Sequence, residues 1–161
     1  MRLSSLKFIA TSLAATALFG AVSLGAAQQA IASSTVYVNG NTTATGTDVL
    51  ALTYNSGGAG ASAYFYGDIA DYAGTGVYSA GSGTTTIIYI FEDGAGSGQA
   101  VKNNAAWADN GSVTDSYTIY YNSNYEGASQ VYAPEYYGTN SGNLDTTLHN
   151  NEASQYERYA I

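Results

Sequence analysis

The feature that most constrains the fold of this chain is an internal repeat of a tyrosine-led turn. Residues 54–65 and 121–132 align without gaps at an offset of 67, and six of the twelve positions are identical. Each copy is followed further along the chain by paired asparagines, Asn103-Asn104 and Asn150-Asn151. Such a repeat predicts two similar supersecondary units that bury a face against each other. It also predicts that polar residues of the motif occur as two related sites.

Residues 1–32 have the pattern of a secretory signal peptide. Arg2 and Lys7 form a basic start, an apolar run extends over 8–24, and small residues at 30 and 32 form a cleavage site. A membrane anchor is the alternative. No basic stop-transfer segment follows, however, and no other stretch approaches the roughly 20 apolar residues of a membrane span. We therefore expect a secreted, extracellular protein that has no contact with the membrane in its mature form.

The remaining residues, 33–161, are enough for one domain and are strongly acidic. Lys102 and Arg158 stand against twelve aspartates and glutamates, which gives a formal charge of −10. Nucleic acid is disfavoured as a partner, since phosphates are neutralised by clustered lysines and arginines. Divalent cations or a basic protein surface are the electrostatically favoured partners. With no cysteine, the chain has no disulfide framework, thiol nucleophile or cysteine zinc site.

Glycine, serine, threonine, asparagine and tyrosine dominate the mature part, and no stretch sustains an apolar period of 3.6 residues. Short β-branched or alternating runs, bounded by Gly, Asn or Asp, lie at 36–38, 49–54, 63–66, 84–91, 117–121 and 130–133. Many short strands with regular turn signals are typical of an all-β sandwich or barrel. Asn39-Gly40 and Asn110-Gly111 are the strongest hairpin or turn signals, because both residue types accept positive φ.

The repeat divides the domain of residues 49–161 into a first unit at about 49–110 and a second at about 114–161. The first unit has about 20 more residues between its tyrosine turn and its asparagine pair. We place them within 74–98, as a long loop, an added hairpin or a disordered insertion. Residues 33–48 form either a mobile leader or an added edge strand.

The sixteen tyrosines have two possible locations. Their rings can fill a glycine-rich core while the hydroxyls reach water or backbone groups, which is the favoured interpretation. Alternatively, some of them form an exposed aromatic face for sugars or proteins.

The spacing Tyr120-x-x-x-x-Tyr125-x-Gly127, followed by Ser129, is similar to the Greek-key signature of the βγ-crystallins. The resemblance implies an all-β, βγ-crystallin-like sandwich of two Greek-key motifs. It also implies that the aromatic rings support a folded hairpin, that Gly127 takes a conformation barred to other residues, and that Ser129 bonds back over the turn. The segments 98–106 and 120–129 resemble small secreted bacterial βγ-crystallin proteins that include metalloproteinase inhibitors and killer-toxin-like proteins.

The chain departs from the family pattern at several positions. Thr53 and Gly58 stand where the signature has aromatic residues in the first unit. Trp107 replaces a hydroxyl of the asparagine motif, and Gln155 replaces its final serine. The inhibitor and toxin members are disulfide-bonded, which this chain cannot be.

The asparagine pairs resemble the calcium motif of the same family, whose sites are shared between the two units. The residues that the resemblance assigns to calcium are Asn103, Asn104, Asn150, Asn151, Glu152 and Ser154. It implies at most one working site, formed by Asn104 with Ser154, because Trp107 offers no oxygen to the twin site. We expect weak binding, near ~0.1 mM, as in extracellular modules. In the alternative interpretation, the asparagines only satisfy backbone groups of the turns.

We expect no enzymatic activity, no catalytic residues and no organic cofactor. His149 is the only histidine, and no Gly-x-Ser-x-Gly elbow presents a nucleophile. The resemblance implies a monomeric inhibitor of a secreted metalloproteinase that presents a loop at 74–98 or 134–142. A killer-toxin-like antimicrobial protein and a structural or carbohydrate-binding secreted protein are the alternatives.

Overall fold

The computed structural model of the chain describes residues 33–42, 48–79 and 83–159. The signal peptide predicted at 1–32 lies outside the described residues. A short 3-10 turn covers Ser56–Gly58. The strands are β1 (Ser34–Val38), β2 (Leu50–Asn55), β3 (Ala59–Phe65), β4 (Thr75–Ser79), β5 (Gly83–Tyr89), β6 (Trp107–Asn110), β7 (Asp115–Asn122), β8 (Glu126–Tyr132), β9 (Ser141–Asn143) and β10 (Ser154–Tyr159). No helix in these ranges is long and apolar enough to cross a membrane.

Each repeat unit builds one sheet around a hairpin and a returning strand. In the first unit β2 pairs with β3, and β6 comes back to the free side of β2. In the second unit β7 pairs with β8, and β10 comes back to the free side of β7. The return of the fourth strand to the side of the first defines a Greek key. The predicted fold class, a βγ-crystallin-like sandwich of two Greek keys, is confirmed by this strand order.

A third segment of each unit pairs with the sheet of the other unit. Strand β9 of the second unit pairs with β6, which completes the order β3-β2-β6-β9 in the first sheet. In return, Ile69 of the first unit bridges Gln155 at the edge of the sheet β10-β7-β8. The backbone N–H of each of these two residues donates to the carbonyl of the other at 2.9 Å. The two Greek keys are therefore interlocked.

A third sheet, of order β1-β5-β4, is added to this framework. Residues 74–98 do not form a long loop, because β4 and β5 pair antiparallel within this range. Strand β1 lies at the edge of this sheet and pairs with β5 in parallel. Among the alternatives for the extra residues, the structure thus has the added hairpin.

The two Asn-Gly signals do not mark hairpins. Strand β1 precedes Asn39-Gly40 but pairs with β5. Strand β6 ends at Asn110, and its pairs are β2 and β9. An Asn-Gly dipeptide allows positive φ, as at Gly40 with φ 67°. This local conformation does not determine which strands pair. The hairpin turns of the two keys lie instead in the repeated Tyr-Asn-Ser segments.

The core lies between the two Greek-key sheets. Its largest buried side chains are Leu50, Leu52, Phe65, Tyr72, Phe91, Tyr117, Ile119, Tyr132 and Leu148. They come mostly from alternate strand positions, as expected for sheets with one buried face. Phe65 stands at the centre, with its ring centroid 5.1 Å from that of Tyr72 and 5.2 Å from that of Tyr89.

The tyrosines divide between buried and exposed positions, and a role of the exposed ones in binding sugars or proteins stays a prediction. Among the tyrosines whose side chains the structure describes, four are buried, and their rings contribute to the core. Seven others are exposed: Tyr37, Tyr66, Tyr121, Tyr136, Tyr137, Tyr156 and Tyr159. The aromatic side chains therefore lie both in the core and at the surface.

Candidate functional site

The repeated hairpins are held by equivalent contacts. Gly60 and Gly127 have φ values of 89° and 85°, in the region that favours glycine. A Cβ at Gly127 would lie 2.9 Å from Asn122 Nδ2, and one at Gly60 would lie 2.7 Å from Asn55 Nδ2. The conformation expected for Gly127 is confirmed, and the same constraint applies in the first unit.

The hydroxyl that holds the second hairpin is that of Ser154. Ser154 Oγ donates to the Asn122 carbonyl at 2.7 Å and accepts from the Tyr125 backbone N–H at 3.0 Å. The assignment of this role to Ser129 is wrong, because Ser129 lies exposed on β8. In the first unit Trp107 occupies the corresponding position, with its indole against Gly58.

The two asparagine corners, which we define as residues 103–106 and 150–153, face each other. The Asn103 N–H donates to the Glu152 carbonyl, and the Asn150 N–H donates to the Ala105 carbonyl, both at 2.9 Å. Asn103 and Asn150 share a left-handed conformation, with φ of 63° and 57°. These reciprocal bonds make the corners a pseudo-twofold pair across the boundary between the units.

Glu152 breaks the symmetry of the corners. It is fully buried, and its Oε1 accepts from the backbone N–H groups of Asn104 at 3.0 Å and Ala105 at 2.8 Å. Its Oε2 is buried without a hydrogen-bond partner in the described part of the chain. Burial raises the pKa of Glu152 to about 8, although the surrounding backbone N–H groups act in the opposite direction. The corresponding residue in the first corner is Ala105, which has no polar side chain.

Several predicted calcium ligands make bonds within their own unit. Asn104 Nδ2 donates to the carbonyls of Ala100 and Lys102 at 3.0 and 3.1 Å. Asn151 Nδ2 donates to the His149 carbonyl at 3.1 Å, and the Ser154 hydroxyl holds its hairpin. Nowhere in the described ranges are three His, Asp or Glu side chains grouped to hold a metal ion. The pairing of Asn104 with Ser154 around calcium stays a prediction.

A polar cleft of about 230 Å³ opens between the two corners. We call it the corner cleft, and it is lined by Lys102, Asn103, Tyr121, Asn122, Ser123, Asn151 and Ala153. It thus brings together one asparagine from each predicted pair. Tyr121 and Asn122 come from the tyrosine turn itself, so the repeated motif contributes both to the fold and to this surface.

Lys102 places an ammonium group in the corner cleft. Its Nζ lies 3.0 Å from Asp71 Oδ1 and donates to Ser123 Oγ at 2.9 Å. Burial acts to raise the pKa of Asp71, but hydrogen bonds from the Ala73 N–H and from Lys102 outweigh it, so the pKa is lowered. The hydrogen bond from Lys102 to Ser123 joins the first unit to the hairpin of the second.

A second candidate surface is the segment 134–142, which we call the tyrosine loop. Its neck is closed by a bond from the Ala133 N–H to the Thr139 carbonyl at 2.9 Å. The Tyr137 N–H donates to the Pro134 carbonyl at 2.9 Å and forms a turn at the tip. Tyr136 and Tyr137 are 75% and 62% exposed there, so two adjacent aromatic rings project from a closed loop.

Buried polar groups fix the base of the tyrosine loop. Asn110 is fully buried, and its Nδ2 donates to the carbonyls of Asp115 and Ala133 at 2.8 and 2.9 Å. Its backbone N–H donates to the Asn140 carbonyl at 2.8 Å. The Glu135 N–H donates to the Ser112 carbonyl at 2.8 Å. The loop is therefore held on both sides by residues 110–112, which connect the first unit to the second.

No protein-family model and no curated protein matches the chain. A solved structure described as "Evolution of the eye lens beta-gamma-crystallin domain fold" is similar to it, with a TM-score of 0.49 and 11% sequence identity. The similarity covers 75% of this chain and 95% of that one. The fold assignment rests on the strand order and register given above.

Proposed function

We propose that the protein is a secreted, non-enzymatic, monomeric inhibitor of a secreted metalloproteinase, and that the tyrosine loop is its inhibitory segment. The observation that carries this proposal is the pair Tyr136-Tyr137, exposed at the tip of a loop whose base is fixed by Asn110. Of the two candidate loops, 74–98 contains the paired strands β4 and β5, and we choose 134–142 because it presents two adjacent exposed aromatic rings.

The chemistry of the tyrosine loop fits a protein partner. Tyrosine is enriched in the centres of protein interfaces and among the residues that dominate binding energy. A loop already held in one conformation loses less entropy on binding than a mobile one. It also resists the extended conformation in which a protease cleaves its substrates. The acidic charge of the mature chain favours a basic rim around the target cleft.

Inhibition is tested by titrating a thermolysin-like metalloproteinase with the protein and measuring residual hydrolysis of a peptide substrate. We expect activity to fall as the protein approaches stoichiometric amounts. The double substitution Tyr136→Ala with Tyr137→Ala should weaken inhibition by about tenfold or more, because it removes both aromatic anchors.

Tyr66→Ala is the matched control, since Tyr66 is exposed but lies outside the tyrosine loop. It should leave inhibition unchanged. The proposal fails if the wild-type protein leaves the protease fully active, or if the double variant inhibits as well as the wild type.

We also propose weak calcium binding at the asparagine corners. Amide and backbone carbonyl oxygens are suitable ligands for calcium, and both corners present them at the boundary between the units. The Lys102 ammonium beside Asn103 keeps the affinity low. With a Kd near ~0.1 mM, ~1 mM calcium would add about 1.4 kcal/mol to the free energy of unfolding.

Thermal unfolding at increasing calcium concentrations tests this proposal, with magnesium as the control cation. A melting temperature that rises with calcium and not with magnesium is the expected result. A melting temperature and tyrosine fluorescence that do not respond to calcium would remove the proposal.

A further inference from the structure

We infer that the corner cleft binds one sugar residue of a neutral polysaccharide. This inference goes beyond protease inhibition and does not depend on it, because the corner cleft and the tyrosine loop share no residues. It rests on the size of the cleft, on its mixture of amides with an aromatic ring, and on the internal neutralisation of its charge.

The dimensions of the corner cleft select a small polar ligand. Its volume of about 230 Å³ is below the roughly 300–1,000 Å³ of pockets that enclose drug-sized molecules. The cleft is also open on one side, so a longer chain could place one residue in it and continue over the surface. A single ring of a polysaccharide fits both conditions.

The side chains of the corner cleft suit a pyranose ring. The amides of Asn103, Asn122 and Asn151 each carry two N–H donors and an acceptor oxygen, which match the alternating donor and acceptor character of sugar hydroxyls. Tyr121 stands beside them with 42% of its surface exposed. The C–H face of a pyranose can pack on the aromatic face of Tyr121 while its hydroxyls reach the amides.

The charges in the corner cleft favour a neutral sugar over an anionic one. Lys102 is already paired with Asp71 at 3.0 Å and bonded to Ser123, so an anionic sugar would compete with a carboxylate held in place by the fold. The same ammonium group keeps calcium binding at the asparagine corners weak, so a cation and a neutral sugar are not equivalent ligands. A neutral ligand uses the same donors and acceptors without breaking the ion pair.

The corner cleft and the tyrosine loop lie at opposite ends of strand β7. The cleft contains Asn122, the last residue of β7, whereas the tyrosine loop follows Tyr132, which pairs with Tyr117 near the start of β7. At about 3.4 Å per residue, the eight-residue strand separates its two ends by roughly 24 Å. Both surfaces can therefore be occupied at once, with the polysaccharide retaining the protein while the tyrosine loop stays free.

The test is a binding titration, followed by calorimetry, with hexasaccharides of β-1,3-linked glucose, β-1,4-linked glucose and β-1,4-linked N-acetylglucosamine. We expect saturable binding to at least one of them. Tyr121→Ala should weaken it by about tenfold or more through loss of the stacking surface, and Asn151→Ala should weaken it several-fold. Tyr66→Ala should bind like the wild type, and unchanged melting temperatures would show that the variants are folded.

Polygalacturonate is the anionic comparison. Two results would overturn the inference: no binding to any of the three neutral hexasaccharides, whether or not polygalacturonate binds, or binding that survives Tyr121→Ala and Asn151→Ala together. Protease inhibition is measured on the same variants. If the cleft variants lose sugar binding but still inhibit as the wild type does, the corner cleft is the sugar site. This conclusion holds even if the wild-type protein does not inhibit the protease.

Discussion

The free energy of unfolding is expected to fall as the pH rises from about 4.5 to about 8, and Glu152→Gln should abolish most of this fall. In the folded protein, burial raises the pKa of Glu152 to about 8. In the unfolded chain the carboxyl titrates near its usual value of about 4.3. Between these values the folded state retains a proton that the unfolded state has released, so the stabilisation present at low pH is lost as the pH rises.

The size of the effect follows from the difference between the two pKa values. Each pKa unit corresponds to about 1.4 kcal/mol, which sets an upper limit of about 5 kcal/mol. Rearrangement of the amides around the carboxylate should reduce the observed change below this limit. Glutamine keeps an oxygen to accept from the N–H groups of Asn104 and Ala105, and it carries no charge at any of these pH values.

Urea unfolding from pH 4.5 to pH 8.5, in buffer with a chelator, measures this dependence for the wild type and for Glu152→Gln. Glu126→Gln is the control, since Glu126 is exposed on β8, and it should retain the wild-type slope. If Glu152→Gln loses stability with rising pH as steeply as the wild type does, the buried carboxyl is not the cause.

The second large effect is expected for Gln155→Ala, which should lower the free energy of unfolding by about 3–5 kcal/mol. Gln155 is fully buried, and its Nε2 donates to the Gly67 carbonyl at 2.7 Å. Its Oε1 accepts from the Tyr72 hydroxyl at 3.0 Å. Alanine leaves both partners unsatisfied in the interior and opens a cavity. The lost contacts lie where the first unit, through Ile69, pairs with the sheet of the second unit.

A double-mutant cycle separates the hydrogen bonds from the packing. Gln155→Leu fills most of the volume of the glutamine side chain but leaves the Tyr72 hydroxyl without a hydrogen-bond partner. Adding Tyr72→Phe removes that hydroxyl. The double variant should therefore be more stable than Gln155→Leu alone, because replacing both partners by apolar groups costs less than leaving one unpaired. Chemical unfolding of the four proteins gives the coupling energy. Strict additivity would show that the Tyr72–Gln155 bond contributes nothing.

The parts of the fold that the sequence predicts are those set by local signals. The repeat predicts two equivalent units, and the turns at Tyr54 and Tyr121 each open a hairpin. The sequence does not predict β4, β6, β9 and β10, and β6 and β9, with four and three residues, are too short to show an alternating pattern. Their pairing depends on contacts far apart in the chain, which no local pattern encodes.

The candidate site was predicted less completely. The meeting of the asparagine corners follows from the repeat, but the hairpin serine was misassigned because Ser129 is near Tyr125 in sequence while Ser154 is near it in space. The burial of Glu152 could have been suspected, since an acidic residue replaces Ala105 of the first corner. No sequence signal indicated that the side chain of Lys102 reaches across to Asp71 and Ser123.

Each unit pairs a segment with the sheet of the other unit, and this limits how the chain can be divided. Cleavage of the chain at Gly111 would separate β9 and Ile69 from the sheets with which they pair. Neither half would then form a complete sheet by itself. A substitution that destabilises one half therefore also weakens the sheet of the other half, and the two halves are expected to unfold together.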